Sequence, residues 1–138
     1  MDQIVKDIKQ RFFAFRNGIL ADALRRHSGY SVIFGLQVPQ LAEIARDLKQ
    51  DMALAERLWS ETHVRESRLL ASYLFPPAEV SMETAVRLAA EAANEEEADM
   101  LAFRLFKRLP FAAELLEQME RTDNVSPYMI KTLRNHLS

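Results

Sequence analysis

Apolar residues recur at helical spacing along almost the whole chain, and only three glycines and five prolines interrupt them. Ile4, Ile8, Phe12 and Phe15 predict a first helix over Asp2 to Arg16, and Gly18 breaks it before a short second helix, Ile19 to Arg26. His27 to Gln37, which contains Gly29 and Gly35, reads as the longest loop. Val38-Pro39 opens the next helix, because proline fits a first turn whose N–H groups have no acceptor, and Leu41, Ile44, Ala45 and Leu48 form its buried stripe. Helices over Met52 to Trp59 and Val64 to Leu74 follow, the second closed by Pro76-Pro77. Ser81 caps a helix from Met82 to Ala93. The most regular amphipathic stretch is Glu95 to Leu109, burying Ala98, Leu101, Ala102, Leu105 and Phe106. Pro110 opens a helix to about Glu120, and Ser126-Pro127 starts a last one through Met129, Ile130, Leu133 and Leu137. No segment reads as a strand.

Helix starts near Pro39, Met82 and Pro127 are spaced by about 43 and 45 residues, the period of HEAT-type helical repeats. The expected fold is therefore all-α, a HEAT-like solenoid, with a compact helical bundle as the alternative that periodicity leaves open. Length and composition fit one domain over residues 1–138: hydrophobic residues are 49% and charged residues 28%, as in ordinary globular proteins. The chain has no cysteine, which removes disulfides, thiolate metal sites and a cysteine nucleophile. The residues from Met1 to Gln10 lack the basic stub and apolar run of a signal peptide, and no stretch is apolar enough to span a bilayer, so a cytoplasmic protein with no membrane contact is expected. A formal net charge of −2 means that any contact with nucleic acid must come from a local basic face.

Three blocks then stand out: Phe34-Gly35-Leu36-Gln37-Val38-Pro39-Gln40-Leu41, Leu54-Ala55-Glu56-Arg57-Leu58-Trp59 and Glu66-Ser67-Arg68-Leu69-Leu70-Ala71. In order and spacing they resemble the DNA alkylation repair family, and the similarity continues more weakly to Leu109. Most of these residues have structural work to do. Gly35 permits a tight turn, Pro39 presets a helix, and Trp59 fills a seam between helices. Glu66 and Arg68 are too close on one helix to face each other, so they are expected to bond to neighbouring elements as a buried ionic tie.

The resemblance implies a superhelix that cradles duplex DNA on a basic concave face and excises cationic alkylated purines. The family's active-site segment has the form Asn-Trp-Asp-x-x-Asp, and the matching stretch here is Asn94-Glu95-Glu96-Glu97-Ala98-Asp99. The resemblance thus puts Asp99 in the place of the catalytic aspartate, whose charge stabilises the positive sugar left as the base departs. Glu95 stands where the family has tryptophan, so the aromatic face against the damaged nucleotide is missing. Lys131 falls roughly at the place of a basic residue on a later repeat. The acidic run itself also reads as a helix start matched to the helix dipole.

Arg104, Lys107 and Arg108 are spaced to share one helix face and reach successive phosphates, and Arg25 and Arg26 form a second basic group. These cations read equally as charges that complement helix ends and keep the protein soluble. His27, His63 and His136 occur singly without i,i+4 partners, so neither a zinc site nor another metal is expected. No phosphate loop and no serine-hydrolase elbow is present, and no cofactor is expected. Two functions follow. One is a non-catalytic HEAT-like module that binds duplex DNA or another protein on the concave face. The other is a minimal alkylpurine DNA glycosylase using Asp99, with DNA held by Arg104, Lys107, Arg108 and Lys131. Because no further repeat follows α-helical residues Met129, Ile130 and Leu133, these are expected to need a cover, which a homodimer would supply.

Overall fold

The computed structural model describes residues 1–26 and 28–138; His27, which opens the loop expected from the sequence, lies outside the described residues. Among the described residues the structure is all-helical, with a single isolated bridge between Val32 and Val64 in place of any strand. The chain forms two compact units, Met1–Leu74 and Phe75–Ser138.

The first unit contains α1 (Asp2–Ala14), α2 (Gly18–Arg25), α3 (Val38–Arg46), α4 (Met52–Trp59) and α5 (Arg65–Leu74). Short polar side chains set most of the helix starts. Asn17 accepts from the Leu20 N–H and Asp51 from the Leu54 N–H, while Gln37 and Gln40 cap α3 reciprocally ahead of Pro39. α1 buries Val5, Ile8 and Phe12, the i, i+3, i+7 stripe of a helix lying on a core. α5 is different. Every residue from Arg65 to Ser72 is buried, so this helix is enclosed on all sides, packing against α3 and α4.

A fully enclosed helix that carries charge must satisfy it internally. Glu66 is 0% exposed, and its carboxylate accepts the N–H groups of Phe34 at 2.9 Å, Gly35 at 3.0 Å and Leu36 at 3.3 Å. Arg65 donates to the same carboxylate at 2.7 Å and to the Leu36 carbonyl at 2.8 Å. Arg68 turns the other way, lying 3.6 Å above the centre of the Trp59 ring and donating to the Trp59 carbonyl at 2.9 Å. Glu66 and Arg68 thus bond to neighbouring elements and not to each other, as their spacing requires. The participation of Arg65 was not legible in the sequence.

The loop that Glu66 holds has little regular structure of its own. Val32 donates to the His63 carbonyl and accepts from the Arg65 N–H, and Asn17 donates to the Phe34 carbonyl. This brings the Asn17 carbonyl so close to Gly35 that a Cβ there would stand 2.3 Å from its oxygen, and Gly35 has φ +89°. Only glycine meets both conditions.

The second unit begins with a 3-10 turn, Pro77–Glu79, followed by α6 (Met82–Glu91), α7 (Glu95–Arg104), a second 3-10 turn (Phe106–Arg108), α8 (Ala112–Glu120) and α9 (Pro127–Leu137). Leu101, Leu105, Phe106, Leu115, Met119, Met129 and Leu133 are fully enclosed in its core. One expectation is corrected here. The helix expected to run to Leu109 ends at Arg104: Leu105 leaves helical geometry at φ −123° and ψ −63°, a 3-10 turn follows, and Leu109 ahead of Pro110 is extended. Lys107 and Arg108 therefore sit on a 3-10 turn and not on the α7 face that carries Arg104. Met129 and Leu133, on the last helix, are fully buried and Ile130 is half-buried.

Gly35→Ala combines a positive φ with a backbone clash and is expected to destabilise the first unit by about 3 kcal/mol. Glu66→Ala strands three N–H groups and Arg65 and is expected to cost about 3–5 kcal/mol. Urea unfolding followed through Trp59, the one tryptophan of the chain and a member of this unit, measures both.

Candidate functional site

The start of α7 shows what the acidic run does locally. The Asn94 side chain accepts the Glu97 N–H at 2.9 Å, and the Glu97 carboxylate reaches back to accept the Ala93 N–H at 2.9 Å. Glu97 is 1% exposed and belongs to the cap, whereas Glu95 beside it is exposed to solvent. Three acidic residues in the first turn complement the positive end of the helix dipole.

Asp99 stands on the next part of the helix, half-buried, and faces α9. The Ser126 hydroxyl accepts the Met129 N–H and Pro127 occupies the first turn, which fixes where α9 begins and hence its rotational phase. That phase turns Tyr128 and Thr132, four residues apart, toward Asp99. The Tyr128 hydroxyl lies 3.0 Å from each carboxylate oxygen, and the Thr132 hydroxyl donates to Oδ1 at 2.8 Å. The hydrogen bond to Asp99 pushes the Tyr128 phenol up from its ordinary value of 10.0, with burial and the charges of Asp99 and Glu95 adding to the effect. Among the described residues no cation lies within ion-pair distance of Asp99, so its charge is held by hydroxyl groups alone.

One turn further along α7 is Phe103, 37% exposed. The His136 ring of α9 lies 5.6 Å from it, centroid to centroid. Lys107 places its Nζ 4.1 Å from the ring centre and Arg104 its guanidinium carbon 4.8 Å away. The expected basic group therefore comes together in part: Arg104 and Lys107 converge on Phe103, although the helix ends between them. Arg108 and Lys131 are exposed. Lys131 neighbours Thr132 in sequence, but it is Thr132 that meets Asp99. In the first unit Arg25 pairs with Asp22 at 2.9 Å.

Sequence reasoning found Asp99, Arg104 and Lys107 but missed Tyr128, Thr132, Phe103 and His136. A signal for them exists. Asp99 and Phe103 are four residues apart on α7, and Tyr128, Thr132 and His136 repeat at the same interval on α9. Two such ladders of polar and aromatic residues meet when their helices pack side by side with those two faces turned together.

The family model described as DNA alkylation repair enzyme matches residues 8–125, and the chain belongs to this family. No curated protein and no solved structure gives a significant match to the chain. Among the described residues no helix is long and apolar enough to cross a membrane, and no group of three or more His, Asp or Glu side chains is placed to hold a metal ion.

The raised native pKa of Tyr128 gives a pH dependence whose sign is definite. The folded state retains a proton that the unfolded state has released, so this contribution to stability is complete below about pH 10 and is lost as pH rises through the native pKa. In an ultraviolet titration Tyr128 is expected to ionise above pH 10, and Asp99→Asn is expected to lower its midpoint, seen as a difference between the two titration curves.

Proposed function

We propose that this chain is a HEAT-like, non-catalytic module that binds duplex DNA through the surface around Phe103. The observation that carries this reading is the convergence of Arg104 and Lys107 on an exposed aromatic ring. A ring holds two long cationic side chains in place, so less of their freedom is lost when they meet phosphate, and its apolar edge is available to sugar and base. Lys131 and Arg108, both exposed in the same unit, add positive charge on which a backbone can draw. The HEAT-like reading rests on the recurrence of helix starts at Val38, Met82 and Pro127, now fixed by their caps. Asp99 in this reading is a tie between α7 and α9, its oxygens already engaged by Tyr128 and Thr132.

One observation favours a second reading, a minimal alkylpurine glycosylase. Asp99 is half-buried and its charge is not neutralised by any cation among the described residues, which is the state a carboxylate needs to stabilise a developing sugar cation. Glu95 in place of an aromatic residue and the engagement of Asp99 by two hydroxyls count against it.

Fluorescence anisotropy with a short duplex, titrated at several salt concentrations, tests the first reading. Affinity is expected to fall linearly on a log–log plot against salt, and Lys107→Ala is expected to reduce the slope by about one. Absence of binding at low salt overturns the reading in favour of a protein partner. Release of alkylated purine from damaged duplex by the wild type, abolished in Asp99→Asn, establishes the second reading instead.

A further inference from the structure

The basic surface around Phe103 is narrow, and its border restricts what can lie on it. Glu95, Asp99 and Phe103 follow one another at intervals of four residues on α7 and so share one face of the helix. The two carboxylates therefore stand about 6 Å and about 12 Å along the axis from the ring. Asp99 keeps its negative charge among hydroxyl groups, and Glu95 is exposed. The attractive charges, Arg104 and Lys107, are gathered at the ring itself, 4.8 Å and 4.1 Å from its centre. A duplex laid along α7 would bring a row of phosphates over the carboxylates, so the favourable contact extends over little more than one ring.

We infer that the Phe103 surface receives the blunt end of a DNA duplex, the ring lying against the terminal base and Arg104 and Lys107 holding the last phosphates of that strand. This rests on the DNA-binding reading and names the part of the duplex that is bound. Along the side of a duplex both faces of every base pair are covered by neighbours, and the outside offers sugar and phosphate. Side chains that reach between base steps are protruding apolar wedges, whereas Phe103 is only partly exposed and has the His136 ring 5.6 Å away. A terminal base pair is where a duplex presents a bare aromatic face to a ring that stays on its own surface. The two cations rest on the ring by attraction to its π-electrons, and a phosphate, which carries full charge and accepts hydrogen bonds, attracts them more strongly. The arriving end thus draws both side chains from the ring onto its backbone and uncovers the face that the base takes. His136, tilted 45° from Phe103, meets the same base by its edge. An end also brings only its last phosphates to the surface, so repulsion from Asp99 and Glu95 is smaller than for a duplex lying lengthwise.

Counting the chains bound to blunt duplexes of increasing length, by native mass spectrometry, tests it. The count at saturation is expected to stay at two per duplex as the length doubles, one at each end, and to fall to one when biotin and streptavidin block one end. Phe103→Ala and Phe103→Leu both remove the π-face, and leucine keeps most of the apolar volume. Each is expected to weaken binding about tenfold, the contribution of one base stack, with an unchanged circular dichroism spectrum. The salt slope is expected to be unchanged as well, since stacking releases no counterions. A count that grows with duplex length, or that ignores the block, overturns the inference and leaves the broader DNA-binding reading standing, whereas no binding to any duplex overturns both. A single strand that outcompetes the duplex, or a Phe103→Leu variant that binds like the wild type, overturns the inference too.

Discussion

A carboxylate with no access to water organises the first unit. Glu66 sits on α5, a helix enclosed on every side, and an isolated charge in that position would be prohibitively unfavourable. It is tolerated because three consecutive backbone N–H groups and the Arg65 guanidinium converge on it. The relation is reciprocal, since the segment from Phe34 to Leu36 belongs to neither a helix nor a sheet and its N–H groups would otherwise be buried without acceptors. Gly35 at φ +89° is the geometric condition for this arrangement, because it turns the chain so that successive N–H groups point the same way while the Asn17 carbonyl closes in from behind. Loop, helix and glycine therefore form one interdependent unit, and none of the three has a reason to exist in this form without the others.

Most of the fold could be read from the sequence because helix periodicity and helix punctuation agree. Ser81, Ser126 and the prolines at 39 and 127 lie at helix starts in the structure, and the extent of α4 matches the expected Met52 to Trp59. The error at Arg104 has a definite origin. Leu105, Phe106 and Leu109 are all enclosed, and their apolar character extends the helical pattern, while the backbone has already tightened into a 3-10 turn ahead of Pro110. Hydrophobic spacing reports which residues are inside; it does not distinguish a last α-helical turn from a 3-10 turn that buries the same side chains.

The candidate site was less legible, for a different reason. Basic residues are conspicuous in a sequence, whereas the groups that position them are not. Phe103 looks like one more core aromatic, yet it is partly exposed and gathers Arg104 and Lys107. Tyr128 and Thr132 look like the polar side of a terminal helix, yet they hold the Asp99 carboxylate. Their role follows only when the phase of α9 against α7 is known, and that phase depends on the Ser126 cap and on the packing of Met129 and Leu133 beneath. A displacement of the helix start by one residue would rotate both hydroxyls away.

The enclosure of α5 bears on how relatives of this chain are to be recognised. Its Glu66 to Ala71 stretch is among the most easily recognised parts of the sequence, and every side chain in it is hidden from solvent. A block of that kind is kept by the demands of the interior, so another chain that shares it inherits the scaffold with no commitment about what the outside meets. Divergence in ligand among such relatives can therefore proceed without leaving a mark on the very letters by which their kinship is known.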